Sequence, residues 1–172
     1  MTARLATIED IEPLHMLIES AYRGDGARRG WTHEADLLGG QRTDPQSLAA
    51  ILADPDQRIL LAESEGHLQG CVQLSRVDGT VAYLGLLTVD PALQAAGLGK
   101  RLLTHGEAYV REHWRSQIME MTVIRQRTEL IAYYERRGYV RTGEYRPFPH
   151  GDPRFGLPKS DALEFAVLRK PI

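Results

Sequence analysis

The stretch from Val81 to Val89 constrains the fold of this chain more than any other feature. Its apolar side chains Val81, Tyr83, Leu84, Leu86, Leu87 and Val89 fall on both faces of an extended segment. Side chains alternate across a strand, so neither face of this one can be left to water. The strand, expected over Thr80 to Val89, belongs in the middle of a sheet covered on both sides. The chain enters it through Asp78-Gly79, a strong hairpin signal. It leaves through Asp90-Pro91 into the glycine-containing segment Gln94 to Lys100 and then a helical pattern. A central strand with a hairpin before it and a helix after it implies an α/β domain.

The flanking elements follow from the same rules. Ala3 to Ala6 reads as a short strand, and Thr7 with Asp10 makes an N-cap signal. Ile8, Ile11, Leu14, Ile18 and Ala21 then recur at helical spacing as one buried stripe, ending near Gly24. Asp25 to Thr43 has no clean period and reads as a long loop, after which Asp44-Pro45 opens a short helix through Leu52. Arg58 to Glu63 and His67 to Val77, joined at Glu65-Gly66, complete an antiparallel meander with the central strand. A helix is expected from Gly97 to His113, with Leu98, Leu102, Gly106, Tyr109, Val110 and His113 on one side. Ile118 to Ile124 follows as a strand and Thr128 to Arg137 as a helix stopped by Gly138. The crossover makes the strand at Ile118 parallel to the one at Thr80. Tyr139 to Tyr145 and Ala162 to Arg169 close the sheet antiparallel, across the proline-rich loop Arg146 to Ser160.

The 172 residues suit a single domain spanning 1–172, with no repeat or linker. Net charge is −2, and acidic and basic residues are interleaved, so nucleic acid is not an expected partner. The lone cysteine, Cys71, rules out an internal disulfide framework and suits a reducing compartment, the cytoplasm. Glu9, Asp10 and Glu12 precede any sustained apolar run, so no signal-peptide core is expected, and no stretch is long enough to cross a bilayer. The histidines lack metal-ligand spacing, and no metal is expected.

The segment Gln94-Ala95-Ala96-Gly97-Leu98-Gly99-Lys100-Arg101 is the one that carries chemistry. It sets a glycine turn between a strand and the start of a helix, where unpaired N–H groups and the helix dipole attract anions. A Walker A loop would need glycine at Gln94 and serine or threonine at Arg101. A Rossmann fingerprint would need glycine at Leu102 and the first strand of a parallel sheet. What remains is Gln, two residues, Gly, one residue, Gly. This pattern resembles the acetyl-coenzyme A motif of the GNAT superfamily of N-acetyltransferases. The stretch Tyr134-Glu135-Arg136-Arg137-Gly138-Tyr139 resembles that family's second signature, and the two lie in the expected order.

The resemblance implies a single α/β GNAT-like domain: a mixed, mostly antiparallel sheet of about six or seven strands, flanked by helices, with a parallel pair splayed at the cofactor turn. It implies acetyl-coenzyme A as co-substrate and transfer of its acetyl group to a primary amine by direct attack in a ternary complex. It assigns the pyrophosphate to Gln94, Ala95, Ala96, Gly97, Leu98, Gly99, Lys100 and Arg101, and the thioester to backbone N–H groups around Leu87 and Val89. It makes Tyr134 the acid toward the departing thiolate, with neighbouring Tyr133 the alternative. Two positions depart from the family. Arg127 stands where many members have asparagine, and Arg125 and Arg127 are candidates to meet phosphate instead, with a solvated helix start the alternative. The central strand carries no carboxylate, so the base is sought in the loops, first at Glu34 and Asp36, with His33, His150 and Asp152 behind them. Trp31 is a candidate pocket wall, and Cys71 a buried small hydrophobe.

The acceptor pocket is expected from the loops Asp25 to Thr43 and Arg146 to Ser160. Arg28, Arg29 and Arg42 beside Glu34 and Asp36 suit a small amine or amino acid. A peptide or protein lysine is the alternative acceptor, and a non-catalytic coenzyme-binding module the alternative function. A second copy of the chain is a candidate partner.

Overall fold

The computed structural model describes residues 2–23, 38–39, 41–94, 96–149, 156–159 and 162–172. Strand β1 (Thr2–Leu5) leads through a 3-10 turn, Ile8–Asp10, into α1 (Ile11–Tyr22). The two-residue strand β2 (Leu38–Gly39) precedes α2 (Pro45–Ala53). The meander β3 (Gln57–Ser64), β4 (His67–Arg76) and β5 (Val81–Val89) follows. Then come α3 (Leu98–Trp114), β6 (Ile118–Ile124), α4 (Thr128–Glu135), β7 (Val140–Pro147), the two-residue β8 (Leu157–Pro158) and β9 (Glu164–Pro171). Among these residues no helix is long and apolar enough to cross a membrane.

Seven strands form one sheet in the order β1-β3-β4-β5-β6-β9-β7. Only the β5/β6 pairing is parallel; the others are antiparallel. This is the expected mixed, mostly antiparallel sheet with one parallel pair, which joins the N-terminal part of β5 to β6 and stops before the glycine turn. The two segments read as loops, Asp25 to Thr43 and Arg146 to Ser160, are joined where β2 pairs antiparallel with β8.

Alternation along the strands sorts the core into two layers. From β3, Leu60 and Ala62 face α3 and α4, while Ile59 and Leu61 face α1 and α2. Val72 and Leu74 of β4 join the first layer, and Cys71 the second. On the second face Leu14 and Ile18 of α1 and Leu48 of α2 are completely buried. Each such side chain contributes roughly 1.5–3 kcal/mol by leaving water.

Two stripe assignments are corrected. Ile8 is 67% exposed, because Thr7 and Asp10 cap a separate 3-10 turn and the helix proper begins at Ile11. The buried stripe of α1 is therefore Leu14, Leu17, Ile18 and Ala21. In α3, His113 is exposed and stacks on Tyr109 with ring centroids 4.2 Å apart. Trp114, one residue on, fills the core position.

Candidate active site

The site begins with a break in the central strand. Cys71 of β4 pairs with Thr88, but Gln73 pairs with Gly85, so three steps of β5 face two of β4. The extra residue is a bulge, and Leu86 within it has φ +48°. Bulging flips the alternation. Ala82 and Leu84 face α3, yet Leu86 packs with α1 and α2, and Leu87 and Val89 return to the α3 side. The Leu86 carbonyl accepts from the Thr88 hydroxyl at 2.9 Å and the Cys71 thiol at 3.6 Å. Burial pushes the pKa of that thiol up to about 12. The Leu87 carbonyl accepts from the Tyr22 hydroxyl, at the end of α1, at 2.6 Å.

Beyond this region β5 and β6 part. Their pairing runs from Val81↔Ile118 to Tyr83↔Glu120 and stops, and the Tyr83 and Thr122 hydroxyls bridge the strands at 2.6 Å. No carboxylate lies on β5. The buried carboxylate of β6, Glu120, is occupied: Oε1 accepts from Arg146 at 3.0 Å and Oε2 from Arg169 at 2.7 Å.

At the end of β5, Asp90 accepts from the Ala92 N–H and turns the chain toward α3. Gly97 is the N-cap of α3 with φ +76°, a conformation glycine tolerates and other residues resist. No side chain caps the first N–H groups, and the first turn holds no acidic residue. The start of this 17-residue helix therefore presents bare donors and the positive end of its dipole. Gly99 leaves space for a neighbour, since a Cβ there would lie 3.1 Å from the Tyr133 hydroxyl, which would have to give by a few tenths of an ångström.

Helix α4 supplies the opposite wall. Tyr134 is buried, edge-on to Tyr133 at 5.4 Å and to Tyr139 at 5.9 Å. Burial raises its pKa well above the ordinary phenol range, so it remains a protonated donor. Among the described residues its hydroxyl has no hydrogen-bond partner. Tyr133 is pinned by Arg137, whose guanidinium lies 3.4 Å from the ring centroid and donates to the Tyr133 carbonyl at 2.7 Å.

Two cavities meet across the gap. The first, about 350 Å³, is lined by the glycine turn, the end of β5 and α4. The second, about 450 Å³, lies on the α1/α2 side of the sheet. Tyr22, Leu87, Arg127, Leu130 and Tyr134 line both.

Of the residues singled out from sequence, Leu87, Val89, Gln94, Gly97, Leu98, Gly99, Arg127 and Tyr134 are gathered around the first cavity. Ala96, Lys100 and Arg101 are exposed and form no part of its wall. Ala95, Glu34, Asp36, His33, Trp31, Arg28, Arg29, His150 and Asp152 lie outside the described residues. Sequence reading missed Tyr22, Arg136 and Arg137 as wall residues. For Arg137 a signal existed, since it follows Tyr133 by four positions and shares its helix face. Among the described residues no group of three or more His, Cys, Asp or Glu could hold a metal.

A strand that ends in an uncapped helix start, beside a parted parallel pair, presents bare N–H donors to an anion next to a gap in the sheet. The model of the acetyltransferase (GNAT) family matches residues 15–139, and the chain belongs to that family. It is similar to an IAA acetyltransferase of Azospirillum brasilense, 30% identical over 98 residues, which are 56% of this chain and 63% of that relative. The chain thus spans less than two thirds of that protein. It is also similar to the N-alpha-acetyltransferase RimI of Mycobacterium tuberculosis, 27% identical over 142 residues, 81% of this chain and 86% of the relative. In fold it resembles a GNAT family acetyltransferase from Elizabethkingia anophelis with acetyl-CoA bound. The TM-score is 0.60 at 18% identity, over 80% of this chain and 89% of that one.

Proposed function

We propose that the protein transfers an acetyl group from acetyl-coenzyme A to a primary amine by direct attack in a ternary complex. The reading is carried by the first cavity, which runs from the bare helix start at Gly97 to the Tyr134 hydroxyl and there meets the second. The N–H groups after Gly97 hold the pyrophosphate, and Gly99 leaves room beside Tyr133. Backbone N–H groups around Leu87 and Val89 hold the thioester oxygen. Tyr134 donates a proton toward the sulfur as the C–S bond breaks. Coenzyme A supplies the activated acyl group; every other role falls to the chain.

For the base we propose Glu34 and Asp36, since β5 offers none and Glu120 is held by two arginines. Loss of amine turnover in Glu34→Gln or Asp36→Asn, with coenzyme affinity retained, is expected. Unchanged kinetics in both would remove them. A second reading, an N-terminal peptide amine as acceptor, is favoured by the likeness to RimI.

The test is an acceptor screen with acetyl-coenzyme A that reads free thiol, run beside calorimetry. Micromolar binding of acetyl-coenzyme A, about 8 kcal/mol, and amine-dependent thiol release are expected. Tight binding of ATP or NAD with none for coenzyme A would refute the reading.

A further inference from the structure

The two ends of α4 face different parts of the site. Arg127, Leu130 and Tyr134 line both cavities, whereas Tyr133, Arg136 and Arg137 line only the first. The C-terminal end of the helix therefore lies away from the gap in the sheet and along the glycine turn. The approach to that turn is close: a Cβ on Gly99 would stand 3.1 Å from the Tyr133 hydroxyl, and the Arg137 guanidinium lies 3.4 Å from the centroid of the same ring. Arg137 is fixed there, with one N–H given to the Tyr133 carbonyl at 2.7 Å and its Nε buried without a hydrogen-bond partner. Arg136 beside it is exposed, and its side chain makes no hydrogen bond or ion pair with any described residue. The adjacent carboxylate, Glu135, accepts instead from Arg141 at 2.9 Å. Backbone donors at this end are already used. The N–H groups of Arg136, Arg137, Gly138 and Tyr139 go to the carbonyls of Ala132, Tyr134, Glu135 and Tyr134 respectively.

We infer that Arg136 and Arg137 bind a third phosphate of the cofactor, the 3′-phosphate on the ribose of coenzyme A. This deepens the acetyltransferase reading, which puts the sulfur at Tyr134 and the pyrophosphate at Gly97, and rests on it. In coenzyme A the nucleoside lies beyond the pyrophosphate, on the side away from the sulfur. Its 3′-phosphate therefore falls at the end of the first cavity remote from the gap, where the two arginines stand. The start of α3 can hold an anion with backbone N–H groups, but the end of α4 has none to give and carries the negative end of its dipole. Side chains must bind a phosphate there, and guanidinium groups suit it, with paired donors in a planar fork. Arg137 spends one donor on the Tyr133 carbonyl and keeps others. Its position over the Tyr133 ring sets the fork before the cofactor arrives, which lowers the ordering cost of binding. The pair makes the nucleotide end of the site selective, separating coenzyme A from its 3′-dephospho form.

The test is calorimetry of the whole protein with acetyl-coenzyme A and with acetyl-3′-dephospho-coenzyme A. The second probe keeps the thioester, the pantetheine arm and the pyrophosphate and lacks only the group at issue. Wild-type protein should bind acetyl-coenzyme A at least about tenfold more tightly than the dephospho form. Arg136→Gln and Arg137→Gln should each reduce that preference, by weakening acetyl-coenzyme A while the dephospho form binds as before, and Arg137→Lys should retain part of it. Equal affinity of the wild-type protein for the two probes would overturn the inference and leave the acetyl-coenzyme A reading in place. A preference that survives intact in both Gln variants would overturn it as well. Should Arg137→Gln fail to fold, Arg136→Gln, at an exposed side chain, and Arg137→Lys still decide. Binding of neither probe would overturn the inference together with the reading beneath it. A preference without amine-dependent thiol release would uphold the phosphate site and count against acetyl transfer.

Discussion

Tyr134→Phe separates a proton donor from a core aromatic, because the two roles predict different outcomes. The change removes one oxygen and leaves the ring against Tyr133 and Tyr139. Tyr134 lines both cavities, and its hydroxyl oxygen is not among the buried side-chain atoms left without a partner, so no stability is held in an unmet hydrogen bond there. Its loss should leave the melting temperature within about 2–4 °C of wild type, the shift that about 1 kcal/mol produces in a domain of this size. Turnover should fall. General acid catalysis contributes about 100- to 10,000-fold, so single-turnover acetyl transfer should slow by at least about two orders of magnitude at unchanged coenzyme affinity. Because burial raises the phenol's pKa, the proton is retained as pH rises, and this group should impose no alkaline loss of activity below about pH 10. Full activity in Tyr134→Phe would refute the assignment. Tyr133, whose hydroxyl stands against Gly99, would then be tested.

The glycines of the turn should fail in different ways. Gly97→Ala has open space but a left-handed backbone, and should cost about 1–2 kcal/mol of stability by denaturant melting. Gly99→Val, crowding Tyr133, should weaken acetyl-coenzyme A binding in calorimetry more than it lowers stability. Tyr22→Phe removes the hydrogen bond to the Leu87 carbonyl and should lower kcat with a loss of about 0.5–1.5 kcal/mol in stability. Hydrogen bonding from Arg4 holds the Asp10 carboxyl below the usual range, at about 2. A depressed pKa stabilises the fold above the ordinary carboxylate value, so Asp10→Asn should cost about 1 kcal/mol at pH 7, with solvent screening at Arg4 allowed for. That cost should fade as pH is lowered from about 5 to about 2 in paired urea titrations.

What was legible in the sequence is what local pattern encodes. Asp78-Gly79 and the two-faced run after it were enough to place β5 in the middle of the sheet. The glycine spacing placed the turn where β5 gives way to α3. The helix stripes slipped where a neighbouring residue competed: Ile8 belongs to the capped turn before α1, and Trp114 continues α3 one residue past His113. Leu86 could not have been read. Positive φ is normally marked by Gly, Asn or Asp, and here the glycine stands one residue earlier, at Gly85. Pairing of β2 with β8 involves two residues on each side, too few to show a period. The arginines of the second cavity come from positions 23, 42 and 127, and only the folded chain brings them to one wall.

The bulge explains why a site without a β5 carboxylate can still sit on β5. A leucine in the left-handed region costs about 1–2 kcal/mol, so Leu86 must be held there by its surroundings. The Thr88 hydroxyl on the Leu86 carbonyl and the Tyr22 hydroxyl on the Leu87 carbonyl contribute about 0.5–1.5 kcal/mol each, which is of the size required. Without the extra residue the alternation set by Ala82 and Leu84 would continue, sending Leu86 toward α3 and Leu87 away from it. The bulge also bends the strand, and β5 and β6 are paired only on its N-terminal side, up to Tyr83. The proposed site therefore lies beside a backbone irregularity, and Tyr22, whose hydroxyl holds the Leu87 carbonyl, is predicted to matter to it although no motif contains it.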